Sequence, residues 1–179
     1  DNLPAVSLGT GKIPTKVSCF GHHTCALFTD GTTKCWGENL SGQLGIGNAS
    51  DFIGDTPAEM GDNLPTTDWG TGLTVLEVSA GIASTCALLT DGTTRTVKCV
   101  SGASKQNGDD GQERGALGDG PGEMGSSLAP IYWGTGLDAL LDSIAIGAEA
   151  MCGVMNDGSV KCYGMDNIGW TINLANTST

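Results

Sequence analysis

The chain has 179 residues, with 8 Lys and Arg against 20 Asp and Glu, a formal net charge of −12, 29 Gly and only 5% aromatic residues. That balance excludes a nucleic-acid binder or a protein held on an anionic membrane, since Lys12, Lys16, Lys34, Arg95, Lys98, Lys105, Arg114 and Lys161 are scattered and form no cationic patch. Glycine at this density disfavours long helices, and no apolar run reaches the roughly 18 residues of a membrane span, whereas 39% hydrophobic residues can build a core, so short strands joined by tight turns are expected.

In chain order, the first expected element is Pro4-Ala5-Val6-Ser7-Leu8, a Pro-led stretch suited to a sheet edge. The chain opens on Asp1 and not Met, as a processed chain or a piece of one does, so any signal peptide would be gone. Val17-Ser18-Cys19 is a short apolar strand, and a hairpin follows it. Its arms, Cys25-Ala26-Leu27-Phe28 and Thr32-Thr33-Lys34-Cys35-Trp36, flank Thr29-Asp30-Gly31. A three-residue loop ending in Gly suits a type I turn followed by a left-handed residue. Pairing outward from it sets Phe28 opposite Thr32 and Cys25 opposite Cys35.

The pattern then recurs. Asp1-Asn2-Leu3-Pro4 returns as Asp62-Asn63-Leu64-Pro65, and Thr24-Cys25-Ala26-Leu27 returns as Thr85-Cys86-Ala87-Leu88 and, more loosely, Met151-Cys152-Gly153-Val154. Lys-Cys recurs at 34–35, 98–99 and 161–162, and the landmarks together set a period of 61 to 66 residues. Val78-Ser79-Ala80 and Ile144-Ala145-Ile146 repeat the first strand. Cys86 and Cys99 bracket the second hairpin, whose loop is expected to be longer by three residues around Thr93-Thr94-Arg95; Cys152 falls opposite Cys162 across Asn156-Asp157-Gly158. With the Pro-led stretches counted, about four antiparallel strands per unit is the recipe of a propeller blade.

These residues carry a family resemblance. Val17-Ser18, Thr24-Cys25-Ala26-Leu27, Asp30-Gly31, Lys34-Cys35-Trp36-Gly37-Glu38-Asn39 and Gly42-Gln43-Leu44-Gly45 resemble the regulator-of-chromosome-condensation repeat, over about residues 1–170. The second unit departs from it at Cys99-Val100-Ser101-Gly102 and Gly111-Gln112-Glu113-Arg114-Gly115. The resemblance implies an all-β propeller, usually of seven blades, in a family that includes a nuclear nucleotide-exchange factor, a plant photoreceptor and secreted inhibitors. Fold alone does not choose among those roles.

The expected division is a leading strand and linker over 1–16, repeat units over 17–61, 62–125 and 126–170, and a tail over 171–179. Three blades are too few for a ring in one chain, because closed propellers take about four to eight. Two readings follow: the chain is part of a longer propeller, or it joins copies of itself head-to-tail into a ring or fibre. In the second, complementation would run through Pro4, Ala5, Val6, Ser7 and Leu8 at one end. The alternating Trp170, Ile172 and Leu174 would serve at the other.

The cysteines sort into three opposed pairs and one remainder. Cys25 with Cys35, Cys86 with Cys99 and Cys152 with Cys162 are expected as disulfides, the alternative being buried thiols. Cys19 is left as a small packed thiol or an intermolecular partner. Three bonds imply an oxidising, extracellular compartment, and sequons at Asn39, Asn48 and Asn176 are candidate N-glycan acceptors, with ordinary turn asparagines as the alternative. Cys19, His22, His23 and Cys25 lack common zinc spacing. Asp109, Asp110 and Glu113, with Asp119 and Glu123 further on, lack the spacing of a preorganised Ca²⁺ loop and read as an acidic surface. No nucleophile or phosphate-binding motif is present. The expectation is therefore a secreted, non-catalytic assembly module without metal or cofactor, partnered by itself or by the rest of a longer chain. A protein- or glycan-binding propeller piece is the runner-up, and nucleotide exchange on a small GTPase is disfavoured by the disulfides.

Overall fold

The computed structural model describes residues 2–101, 117–133, 141–148 and 150–164. Among these residues ten strands form three antiparallel sheets. The first is β1 (Pro14–Phe20), β2 (His23–Phe28), β3 (Thr33–Glu38) and the short β4 (Phe52–Ile53), in that spatial order. The second is β5 (Thr74–Ala80), β6 (Ser84–Thr90) and β7 (Arg95–Ser101), and the third is β8 (Leu141–Ile146), β9 (Ala150–Met155) and β10 (Val160–Gly164). This is the all-β architecture of consecutive propeller blades. Four strands occur in the first sheet and three in each of the others among the described residues.

The hairpin registers follow the turn chemistry. Cys25 pairs with Cys35, Cys86 with Cys99 and Cys152 with Cys162. In the second blade the three additional residues do not simply swell the loop. The ladder runs two pairs past Leu88↔Val97, to Thr90↔Arg95. The turn is closed by Asp91, whose carboxylate accepts from the Thr93 and Thr94 amides at 2.8 and 2.7 Å. Backbone groups gain more from cross-strand partners than from solvent in a longer loop. Each first strand also carries a bulge at the same place, between Pro14 and Lys16, Val75 and Glu77, and Leu141 and Ser143.

The blades stack through alternation. β1 lies beside β5, and β5 beside β8. Period-two side chains give each sheet a forward and a backward face. One core between the first two blades joins Cys25, Leu27, Cys35 and Leu44 to Val75, Val78, Ala87, Leu89 and Val100. The other joins Cys86, Leu88, Val97 and Cys99 to Leu141, Ile144, Met151 and Met155. Polar bonds span the same junctions. The Ala80 amide donates to Ser18 Oγ at 2.9 Å, and the Ile146 amide to Ser79 Oγ at 3.1 Å. Ion pairs join Lys16 to Glu77 at 3.7 Å and Arg95 to Asp142 at 3.0 Å.

Residues 4–8 form no strand, contrary to expectation. Their relatives show why. Thr67 donates its amide to Thr33 O, and Ile131 donates to Val97 O, each laying an extended segment across the start of the preceding sheet's third strand. Pro65 lies beside the first contact and Pro130 sits in an isolated antiparallel bridge with Lys98 at the second, and neither proline has an N–H to extend the pairing into a ladder. Among the described residues no such sheet lies beside residues 4–8. Their seat is the joint below them, where Gly61 donates to Ser7 O at 3.0 Å as Gly125 donates to Asp68 O at 3.0 Å. Both glycines have φ +70, and a Cβ on Gly125 would lie 2.6 Å from Asp68 Oδ2, so the joint requires glycine.

Two lysines lie inside the fold. Lys98 Nζ donates to Trp69 O and Gly125 O, both at 2.8 Å, and Lys34 Nζ donates to Gly61 O at 2.7 Å. The Lys of the first two Lys-Cys pairs therefore ties the joint to the hairpin. Burial lowers the pKa of both ammonium groups, and carbonyl oxygens supply the partners that a buried cation needs.

Candidate functional site: two open blade faces

The repeat permits a direct comparison of equivalent positions, and it isolates two faces. Leu3, Leu64 and Leu128 occupy one repeat position; Leu64 and Leu128 are 1% exposed, and Leu3 is 96% exposed. Val17 pairs with Ala26 as Val78 pairs with Ala87 and Ile144 with Gly153. Val78 and Ile144 are 5% and 4% exposed, while Val17 is 62% exposed. Val6 is exposed where Thr67 and Ile131 are buried, and Phe20 adds further open apolar surface. Of these, Val17 lies on the backward face of the first blade and Leu3 and Val6 on the segment that leads into it, while Phe20 has the parity of the forward-pointing Ser18.

The forward face of the third blade has the same character. Val154 stands where Leu27 and Leu88 stand in the earlier hairpins, two residues past the first cysteine. It is 40% exposed against their 4% and 1%. Val160, across the ladder from it, is also exposed, and Cys152 and Cys162 are only partly buried. Both faces thus display the half of a blade junction that the two internal junctions bury. Scattered exposed hydrophobic residues need no explanation, whereas these occupy positions that are buried elsewhere in the same molecule.

The three cysteine pairs are disulfide-bonded, with Cα separations of 4.1, 4.0 and 4.0 Å, and each cross-links the two arms of one hairpin. Cys19 is free and exposed. It pairs with Thr24 as Ala80 pairs with Thr85, and Ala80 is buried, so the thiol lies on the open backward face.

The remaining candidate residues disperse. His23 is buried and its Nε2 lies 2.8 Å from Thr85 Oγ1, which in turn donates to Gln43 O at 2.7 Å. The single hydroxyl proton is used there, so His23 donates from Nε2. Burial drives its pKa down to about 4, against the weaker upward pull of Glu38 and the Ser84 backbone. His22 is exposed and pairs with Glu38 at 3.2 Å. With Cys25 in a disulfide, these residues do not present a zinc ligand set. Among the described residues no three His, Cys, Asp or Glu side chains converge on a metal-sized space.

Asn39 requires a correction. Its side chain is wholly buried, with Nδ2 donating to Asn48 O and Oδ1 and to Ser50 Oγ, and Oδ1 accepting from the Leu44 amide. A glycan there is incompatible with the folded chain, because the carboxamide is the brace of the 39–50 loop. Asn48 is exposed. Asn176, Trp170, Ile172, Leu174, Asp109, Asp110 and Glu113 lie outside the described residues. Glu123 Oε2 accepts from the Gly118 and Gly120 amides at 3.0 and 2.9 Å, as Glu59 Oε2 accepts from Gly54 at 2.9 Å. Each repeated carboxylate therefore closes its own loop. These bonds lower the Glu123 pKa, while burial and Glu123 together raise that of Asp119. Trp69 is buried and donates from Nε1 to Thr33 Oγ1 at 2.8 Å, fastening the segment before β5 to the first blade.

Comparison with known proteins gives the same architecture. Residues 15–43 match the family model described as the regulator of chromosome condensation (RCC1) repeat. No curated protein matches the chain. Among solved structures, human WBSCR16 is similar with a TM-score of 0.61 at 16% identity, over 84% of this chain and 33% of that one. Yeast RCC1 (Prp20), solved with Kap60, is similar with a TM-score of 0.56 at 16% identity over 86% and 32%. A second Saccharomyces cerevisiae Prp20p structure, reported with its binding to Gsp1p and histones, has a TM-score of 0.53 at 18% identity over 84% and 32%. The chain thus spans about a third of the length of each of these structures.

Proposed function

We propose that this chain, which carries the regulator-of-chromosome-condensation repeat and has the blade fold of its propellers, is an extracellular assembly module that joins further blades across its two open faces. The observation that carries this reading is the exposure of Leu3, Val6, Val17 and Val154 at positions that the internal junctions bury. A second copy of the chain supplies a forward blade face to the open backward one, and repetition gives a ring or a fibre. The work is done by blade stacking, without catalysis, metal or cofactor. Three disulfides support an oxidising compartment, where Asn48 would be a glycan acceptor.

Sedimentation velocity over a concentration series tests the reading. The chain is expected to form oligomers that grow with concentration, and Val154→Asp with Val160→Asp to return it to a monomer. A wild-type chain that stays monomeric at several hundred micromolar would sink head-to-tail assembly. A second reading is favoured by the one-third coverage of the solved propellers: the completing blades belong to the same, longer polypeptide. That ring would bind a protein partner, as yeast RCC1 binds Kap60 in its structure. Finding the 179 residues inside a longer secreted product, by mass spectrometry of the native protein, would select this alternative.

A further inference from the structure

We infer that Ala145 sets the strength of the junction between copies, because it removes from the third blade the hydroxyl that each internal junction uses. The argument rests on the head-to-tail reading and deepens it. Ser18, Ser79 and Ala145 are register-equivalent: they pair with Cys25, Cys86 and Cys152, the first cysteine of each disulfide. Ser18 Oγ accepts from the Ala80 amide of the next blade, and Ser79 Oγ accepts from the Ile146 amide of the next. The receiving residues are also equivalent, since Ala80 pairs with Thr85 and Ile146 with Met151. In the first blade the corresponding residue is Cys19, which pairs with Thr24.

A third blade docked on the first blade of another copy would therefore aim Ala145 at the Cys19 amide. A methyl group accepts no hydrogen bond, so that amide is desolvated without a partner. The next rung is altered too. Glu77 Oε2 accepts from the Ile144 amide at 2.9 Å, and Ser143, with a much shorter side chain, holds the equivalent place in β8, just past the shared bulge. The apolar part of the junction is retained, with Val154, Val160 and the Cys152–Cys162 disulfide facing Val17. The joint between copies is thus apolar and lacks the hydroxyl-to-amide bond of the joints within a copy. Association is correspondingly weak and reversible.

Ala145 is exposed, so Ala145→Ser is a mild substitution for the isolated chain. The expected result by sedimentation is association tightened about 2- to 10-fold, the range of one ordinary hydrogen bond. Alkylation of Cys19 provides an independent readout, its rate falling as the backward face becomes covered. Ser18→Ala and Ser79→Ala test the bond within one molecule, and each is expected to lower the urea midpoint. Association of the wild type with no change in Ala145→Ser overturns the inference and leaves the assembly reading intact. Unchanged midpoints in both serine variants also overturn it, since the hydroxyl would then contribute nothing at any junction. Absence of association in both the wild type and Ala145→Ser defeats the assembly reading, and this inference with it.

Discussion

His23 shows how a single residue couples the first junction to pH. It is buried between two blades, holds Thr85 and Gln43 in one chain of hydrogen bonds, and has its pKa lowered from 6.5 to about 4. Between those values the unfolded chain binds a proton that the folded chain refuses. Stability from this site is therefore complete above pH 6.5 and declines as the pH falls toward 4, by an amount on the order of 2–3 kcal/mol. Urea midpoints of wild type and His23→Gln, measured between pH 7 and 5 and thus above most carboxylate titration, should show a slope in the first and a flatter line in the second. Equal slopes would remove His23 from the account. The histidine itself was visible in the sequence, but its environment was not. Nothing local to His22-His23 says that one ring faces solvent and the other a threonine 62 residues away. Asn39 was misleading for the same reason, a sequon whose carboxamide the fold uses as an internal brace.

At the scale of the element, the hairpin was the most legible unit, because Asp-Gly turns and opposed cysteines lie within about a dozen residues and local chemistry sets their register. The Lys-to-carbonyl ties and the strandless character of residues 4–8 were not legible, since each depends on partners well beyond the hairpin, and no local residue pattern marks the repeated bulge. The hairpins also allow a controlled comparison. Cys25–Cys35 and Cys152–Cys162 close loops of the same separation, 10 residues, so the chain-entropy contribution to stability is alike, roughly 3 kcal/mol each. Their surroundings differ: the first pair is fully buried in a blade junction and the second is partly open. Replacing both cysteines by Ala should therefore cost more at Cys25 and Cys35 than at Cys152 and Cys162. The excess is the lost packing. Equal losses in urea titration would mean that the disulfides act on the unfolded chain alone.

For the whole molecule, length and charge take on specific meanings. The described residues form three blades, with two internal junctions and two faces that carry exposed apolar residues. The net charge of −12 sets copies against each other at long range, while the faces that would meet are largely apolar. Raising ionic strength from about 0.02 to 0.3 M shortens the screening length from roughly 20 Å to below 8 Å and should strengthen association in light scattering. Weakening by salt would instead assign the contact to ion pairs of the Arg95–Asp142 kind. The glycine joint has a broader consequence. Gly61 on Ser7 and Gly125 on Asp68 make one fitting twice, with the same backbone angle and the same donor and acceptor. A gene encoding such a chain can gain or lose whole units by unequal recombination with this fitting kept intact, because a unit of this kind arrives carrying both halves of it. Changes by a fraction of a unit would leave a half-fitting inside the core, so the repeat length is also the step in which this architecture can vary.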